Sequence, residues 1–304
     1  MTEIEKIINK GVVTEDFLKE EVICDFLVTT DRKKLWAVIL DLVVEFDRVC
    51  KKHNLRYYLD GGSLLGAIRH NGFIPWDDDI DVVMPREDYE HFLKLDKEFR
   101  HPYFLQTPYT DPEYFYSFAK VRNSNTTALN QMFRYQNFNH GIWLSIFPLD
   151  NVSLSDEGKN AYERICQLTY DNSTYMRMRN PHLSEKDKQR VVNHPNTPPL
   201  IVYDEIQKLA THDNRIATDY WGTLILTIRE YRRKALPKNC YSVLKTHKFE
   251  GLELPIPNGY DEVLTIEYGN YMELPPVEER GEWHGGTLFD PDKSYIEYLN
   301  NNDK

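Results

Sequence analysis

Apolar residues recur at helical spacing between Lys34 and His53, at Leu35, Val38, Ile39, Leu42, Val43, Phe46 and Val49. That period predicts an amphipathic helix with one face turned to a core. RYYLD (56–60) reads as a strand, followed by a turn at Gly61-Gly62. Ser63 is then placed to N-cap a short helix, LLGAIRH, which Asn71-Gly72 stops. IDVVMP (80–85) is a second strand ended by proline, and EDYEHFLKL opens the next helix. YFLQT (103–107), FYSFAKVRN (115–123) and GIWLSIFPLD (141–150) are rich in aromatic and β-branched residues and read as further strands. Beyond Asn151 helical patterns take over, at 156–179, 200–209 and 214–234, with an exposed loop near 194–199. Prolines and glycines then punctuate a C-terminal part that holds one short helix. The pattern predicts an α/β (α+β) chain: an N-terminal extension (1–32), a mixed-sheet core (33–150), and a helical lobe with a C-terminal segment (151–304) completing the same unit.

Composition narrows the class. A hydrophobic fraction of 41% and an aromatic fraction of 13% over 304 residues are those of a folded protein. A net charge of −11 argues against a nucleic-acid binder, while leaving room for a local basic pocket. Cys24, Cys50, Cys166 and Cys240 form no CxxC pair, which predicts free thiols in a reducing compartment. The first twenty residues lack the apolar run of a signal peptide, and no apolar window approaches a bilayer span. These features predict a cytoplasmic protein, with peripheral contact with a membrane left open.

The chemistry concentrates in WDDDID, which carries Asp77, Asp78, Asp79 and Asp81. Asp79 and Asp81 sit two apart at the entry to a strand and so point to one face, with Ile80 and Val82 toward the core. Asp77 shares that direction if the strand begins early. Convergent carboxylates either take raised pKa values or hold a cation, and hard oxygen ligands suit Mg²⁺ or Mn²⁺. The same run also fits a solvated acidic turn. Gly61, Gly62 and Ser63 lie between a strand and a helix, where backbone N–H groups can approach a phosphate, or where the chain simply turns. Lys120 and Arg122 share a strand face, and Arg69 ends the short helix. All three read either as phosphate neutralisers or as surface ion-pair partners. His284, in GEWHGG, reads as a donor to substrate or as a loop stabiliser, and Trp76, Trp143 and Tyr57 read as core rather than as a base-stacking platform.

GGSLLGAIRHNGFIPWDDDIDVVMPREDYEHF is very similar to the signature of the LicD family, choline-phosphate transferases related to the fukutin-type glycan enzymes. The resemblance extends to AKVRNSNTT (119–127), GIWLSIFPLD (141–150) and PIPNGYDEVLTIEYGNYMELPP (255–276), with His284 nearby. It implies a nucleotidyltransferase-like fold and a metal-dependent reaction on a CDP-activated alcohol. Phosphocholine would pass from CDP-choline to a hydroxyl of a glycan or lipid-linked glycan, as in teichoic acid or lipopolysaccharide, releasing CMP. It further implies that Gly61, Gly62 and Ser63 form the nucleotide turn, that Asp79 and Asp81 are the metal pair, and that Lys120 is the basic residue of the next strand. The chain departs from the family at Ser145, where an acidic residue is usual. Asp150 or Asp78 would then have to substitute, or turnover is slow, or the chain is a catalytically impaired nucleotide-binding partner. Glycerol phosphate and ribitol phosphate are the alternative groups for transfer.

Overall fold

A computed structural model of the chain describes residues 1–180, 197–227, 230–281, 284 and 286–300. Helix α1 (Glu3–Asn9) opens the chain, and a hairpin of β1 (Glu21–Ile23) and β2 (Phe26–Val28) follows. The predicted long helix is α2 (Thr30–His53). Thr29 caps it, accepting the Arg32 N–H at 3.3 Å, and Asn54 ends it in the left-handed conformation at φ 55°. The stripe from Leu35 to Val49 is buried, and α2 lies against the sheet that carries the site.

That sheet is built on β8 (Ile142–Asn151), buried along its length as far as Asp150. β4 (Asp81–Pro85) pairs with β8 in parallel, and β3 (Tyr58–Leu59) pairs antiparallel with β4. On the other edge of β8, β6 (Ala119–Asn123) pairs with its first half, and β5 (Tyr103–Gln106) pairs with β6. β9 (Tyr220–Gly222) pairs with the end of β8, and β10 (Leu236–Pro237) with β9. Helix α3 (Gly61–His70) leaves β3 and α4 (Arg86–Phe92) leaves β4, each directly at a strand end. β7 (Thr127–Asn130) pairs with β13 (Thr287–Asp290), which brings the C-terminal segment back to the core. The strand predicted over 115–123 begins only at Ala119; the aromatic run before it forms wall, not ladder.

The second half departs further from the periodicity. Helices Asp156–Met178 (α5) and Pro199–Ala210 form as predicted and pack on each other. The described residues of 214–234 do not make the predicted helix. They contain the end of a 3-10 turn (His212–Arg215), then β9, then a second 3-10 turn (Tyr231–Lys234). Pairing decides this: Trp221 is in register with both Asn151 and Leu236, and a Cβ on Gly222 would lie 2.3 Å from the Lys234 carbonyl oxygen. Helical spacing loses to a sheet edge that needs a partner. The C-terminal part likewise holds a hairpin, β11 (Leu244–Phe249) and β12 (Leu252–Pro257), before its one predicted helix, Tyr260–Tyr268. Prolines 255 and 257 disguised β12, which tolerates them because it pairs in a ladder with β11 alone. The loop predicted near 194–199 lies outside the described residues except for its last three positions. All four cysteines are free thiols.

Candidate active site

The Asp-x-Asp strand and the glycine turn meet because β3 and β4 are neighbours. Ser63 does not cap α3. Asp60, in extended backbone, precedes the helix, and Ser63 sits inside the first turn with its Oγ accepting the Asp81 N–H at 2.9 Å. That bond ties the start of α3 to the start of β4. Gly61 takes a positive φ of +51°, and a Cβ on Gly62 would come 2.9 Å from Asp77 Oδ2, so the turn needs both glycines. From below, Trp36 Nε1 and Arg32 on α2 donate to the Asp77 carbonyl oxygen at 3.0 and 2.8 Å, fixing the acidic loop.

A cavity of about 560 Å³ opens over this junction, within the usual size of a small-molecule site. Asp77, Asp79 and Asp81 all line it, while Ile80 and Val82 are fully buried beneath, as the alternation predicts. Gly61, Gly62 and Ser63 line it too, as do Lys120, Arg122, Ser145 and His284. Register makes the centre of the wall explicit: Ser145 on β8 is the Cα partner of Asp81 on β4 and of Lys120 on β6. Trp143 and Phe147 share its face and line the cavity.

Electrostatics follow from burial. Desolvation, then the mutual repulsion of the carboxylates, holds Asp77 and Asp81 well above the usual carboxylate range; a bond from the Ser145 hydroxyl offsets part of this at Asp81. Burial raises Asp79 as well, against the pull of His284. Such a set fits a divalent cation, whose charge would remove the repulsion. Asp78 turns away from the cavity and anchors His284, whose Nδ1 lies 2.7 Å from Asp78 Oδ1 and whose Nε2 lies 3.7 Å from Asp79 Oδ2. Ligand atoms of Asp78, Asp79 and His284 all lie within 4.8 Å of one another, a spacing one cation could bridge. Burial would lower His284, but the Asp78 bond and the charges of Asp79 and Asp78 outweigh it and raise its pKa. Lys120 is pushed well below the usual lysine range by burial and by Arg122, with Asp79 and Asp81 pulling the other way. Its ammonium lies over the rings of Trp143, Tyr116 and Phe118, at 4.0, 4.7 and 5.6 Å.

Besides Asp78, two expected residues are not brought to the cavity. Asp150, at the far end of β8, accepts from Arg86 at 2.5 and 2.7 Å and from Asn214 at 2.7 Å. Arg69 donates to the carbonyl oxygens of Tyr271 and Glu273 at 2.9 and 3.3 Å. Its position at the helix end suggested phosphate contact; the packing of the C-terminal segment claims it instead. Arg122 reaches the wall but is fixed by Gln106 and by the Gly141 carbonyl oxygen. Conversely, Asp60, Trp76, Trp143 and Tyr268 line the cavity without having been read as site residues. For Trp143 the signal was present, since it shares strand parity with Ser145. Tyr57 is core, donating to Asp47 at 2.9 Å.

An Asp-x-Asp strand, a glycine-started helix and a buried lysine converging on one cavity of a mixed sheet define a nucleotidyltransferase-type α+β protein. The family model for the LicD/FKTN/FKRP nucleotidyltransferase domain matches residues 54–152. Lipopolysaccharide cholinephosphotransferase LicD of Haemophilus influenzae is 30% identical over 258 residues, covering 81% of this chain and 93% of that protein. Ribitol 5-phosphate transferase FKRP of human and of mouse is 52% identical over 40 residues, 13% of this chain and 8% of theirs. The chain belongs to the LicD family.

Proposed function

We propose that the protein transfers phosphocholine from CDP-choline to a hydroxyl of a cell-surface glycan precursor, releasing CMP. The observation that carries this reading is the similarity to the cholinephosphotransferase across four-fifths of the chain, joined to a cavity that gathers the family's motif residues. The FKRP similarity, confined to 40 residues, keeps ribitol phosphate and glycerol phosphate as alternative groups.

Asp77, Asp79 and Asp81, with His284 beside them, would hold Mg²⁺ or Mn²⁺, which when bound neutralises charge on the donor's phosphates. The N–H groups at the start of α3 hold the phosphates and orient them. Lys120 meets the charge that grows on the transferred phosphoryl group as the acceptor oxygen attacks. The bond between that phosphorus and the oxygen shared with the nucleotide's phosphate breaks, and CMP leaves with the electron pair. The acceptor's proton would pass to one of the carboxylates or the imidazole that line the cavity, among them Asp60, Asp81 and His284. No described helix is long and apolar enough to cross a membrane, so a lipid-linked acceptor would be met at the surface.

Ser145 supports a second reading, a nucleotide-binding partner without turnover, because it puts a neutral hydroxyl between Asp81 and Lys120. One experiment separates the two. CMP release is measured with CDP-choline, CDP-glycerol and CDP-ribitol, with Mg²⁺, with Mn²⁺ and with chelator, in the presence of a glycan acceptor. Metal-dependent release from CDP-choline is expected. Donor binding without release from any donor would favour the partner reading.

A further inference from the structure

The cavity has two chemically unlike ends, ordered by the sheet. On the β6 side its wall is aromatic, from Tyr116, Phe118, Phe133 and Phe138. Phe115 and Met176 back this wall in a separate buried cluster. On the β3 side, around the start of α3, the lining brings in polar groups, Asp60, Glu267 and Tyr268, beside Leu65 and Ile74. The Tyr268 hydroxyl lies only 3.6 Å from where a Cβ on Gly61 would stand, so it borders the glycine turn. Asp81, Ser145 and Lys120 lie between the two ends, in register across β4, β8 and β6.

Building on the transferase reading above, we infer that the aromatic end seats the donor's quaternary ammonium head group, and that the nucleoside lies toward the polar end. Lys120 Nζ already lies over the faces of Trp143 and Tyr116, the geometry in which ring faces meet a cation. Those faces are taken, and the Arg177 guanidinium, which does not line the cavity, lies 5.7 Å from the Phe133 ring; the rings of Phe133 and Phe138 that line the cavity remain for a second cation. A trimethylammonium has no N–H to satisfy and is best held by ring faces, whereas a cytosine must find hydrogen-bond partners. Two polar atoms that line the aromatic end are already paired: His140 Nε2 with the Gln136 carbonyl oxygen at 3.0 Å, and Asn130 Nδ2 with Thr287 Oγ1 at 3.3 Å. His140, its ring 4.2 Å from that of Phe138, is kept neutral by burial and adds no opposing charge. Connectivity agrees. The head group hangs on the phosphate that is transferred, so with that phosphate at Lys120 it extends past β6, away from the nucleoside.

The test compares wild type, Phe133→Leu and Phe138→Leu. CMP release is followed with CDP-choline and with CDP-ethanolamine, whose ammonium keeps its N–H groups and lacks the methyls. Calorimetry with CDP alone, and competition by tetramethylammonium against CDP-choline and against CDP, complete it. KM for CDP-choline should rise about tenfold in each variant while CDP affinity moves by less than about twofold. Wild type should favour CDP-choline over CDP-ethanolamine, and tetramethylammonium should compete with CDP-choline and not with CDP. A parallel loss of CDP affinity in the variants would mean that the aromatic wall holds the base, which overturns the assignment. So would CDP-choline binding that neither substitution nor tetramethylammonium disturbs. The tetramethylammonium arm reads binding to the wild-type chain. It decides the assignment even if the variants fold poorly or no donor releases CMP, and the latter result defeats the transferase reading alone.

Discussion

Asp78 and His284 stand 206 positions apart in the chain, yet the imidazole Nδ1 lies 2.7 Å from the Asp78 carboxylate. The aspartate is buried, and its second oxygen accepts the His284 N–H at 3.4 Å, so the ring is held by both its side chain and its backbone. This leaves Nε2 directed toward Asp79. Partners that orient a ligand in this way typically change metal affinity or activity by about 10–100-fold when removed. Asp78→Asn is therefore expected to weaken Mn²⁺ or Mg²⁺ by about that factor, read from a metal titration of donor-induced thermal stabilisation. Unchanged metal affinity would make the pair a loop anchor only.

Asp81 bears on stability as well as binding. Its folded pKa is raised by burial and by Asp79, Asp60 and Asp77. A carboxyl raised in this way contributes stability below its unfolded value, and that contribution is lost as pH rises through the folded value. At neutral pH without metal the carboxylate is thus destabilising. Asp81→Asn should raise the metal-free Tm and abolish the further rise that Mg²⁺ and CDP-choline give wild type. A lower metal-free Tm together with a retained metal response would defeat the metal-site reading.

Lys120→Met tests electrostatic help in the transition state. The ammonium faces Asp79 and Asp81 through space and rests on aromatic rings, so methionine can fill its place without opening a large void. Loss of one such group lowers kcat by about a hundredfold or more, with donor affinity changed far less. Wild-type kcat in the variant would assign Lys120 to packing.

Ser145→Asp addresses the departure from the family. The residue lies between Asp81 and Lys120 in register, so a carboxylate there would add an anionic ligand beside the first and a partner for the ammonium. Metal affinity and CMP release should both increase, and the increase should vanish in an Asp81→Asn background, since neighbouring residues acting through one ion are not additive. CMP release across a Mg²⁺ titration of wild type, single and double variants checks this. If the substitution lowers a brisk wild-type rate, serine is an adapted part of a working site.

His140 predicts an acid limb. Burial drops its pKa from 6.5 to about 3. Above 6.5 it is neutral folded and unfolded and contributes nothing to the pH dependence. Below 6.5 the unfolded chain takes up a proton that the native state refuses until pH nears 3, so stability falls as pH falls through that window. One such group gives a slope of up to about 1.4 kcal/mol per pH unit. His140→Gln should flatten the fall in denaturant midpoint between pH 6.5 and 4.5. An unchanged profile would place the acid sensitivity elsewhere.

What the sequence determined by itself is what local period and short-range chemistry control. The α2 stripe, the shared face of Asp79 and Asp81 above buried Ile80 and Val82, and the common parity of Trp143, Ser145 and Phe147 all follow from a repeat of 3.6 or 2. Residues 214–234 show the limit: their helical spacing was real, but the open edge of β8 and close contact at Gly222 selected a strand. The tertiary structure alone decided which distant segments meet. It placed Ser145 between Asp81 and Lys120, closed His284 onto Asp78, gave Asp150 to Arg86, and drew Arg69 off to the C-terminal carbonyls. Side-chain parity is set within a strand by covalent geometry, whereas register and long-range closure are set by which pairing buries the most apolar surface while satisfying the polar groups it encloses.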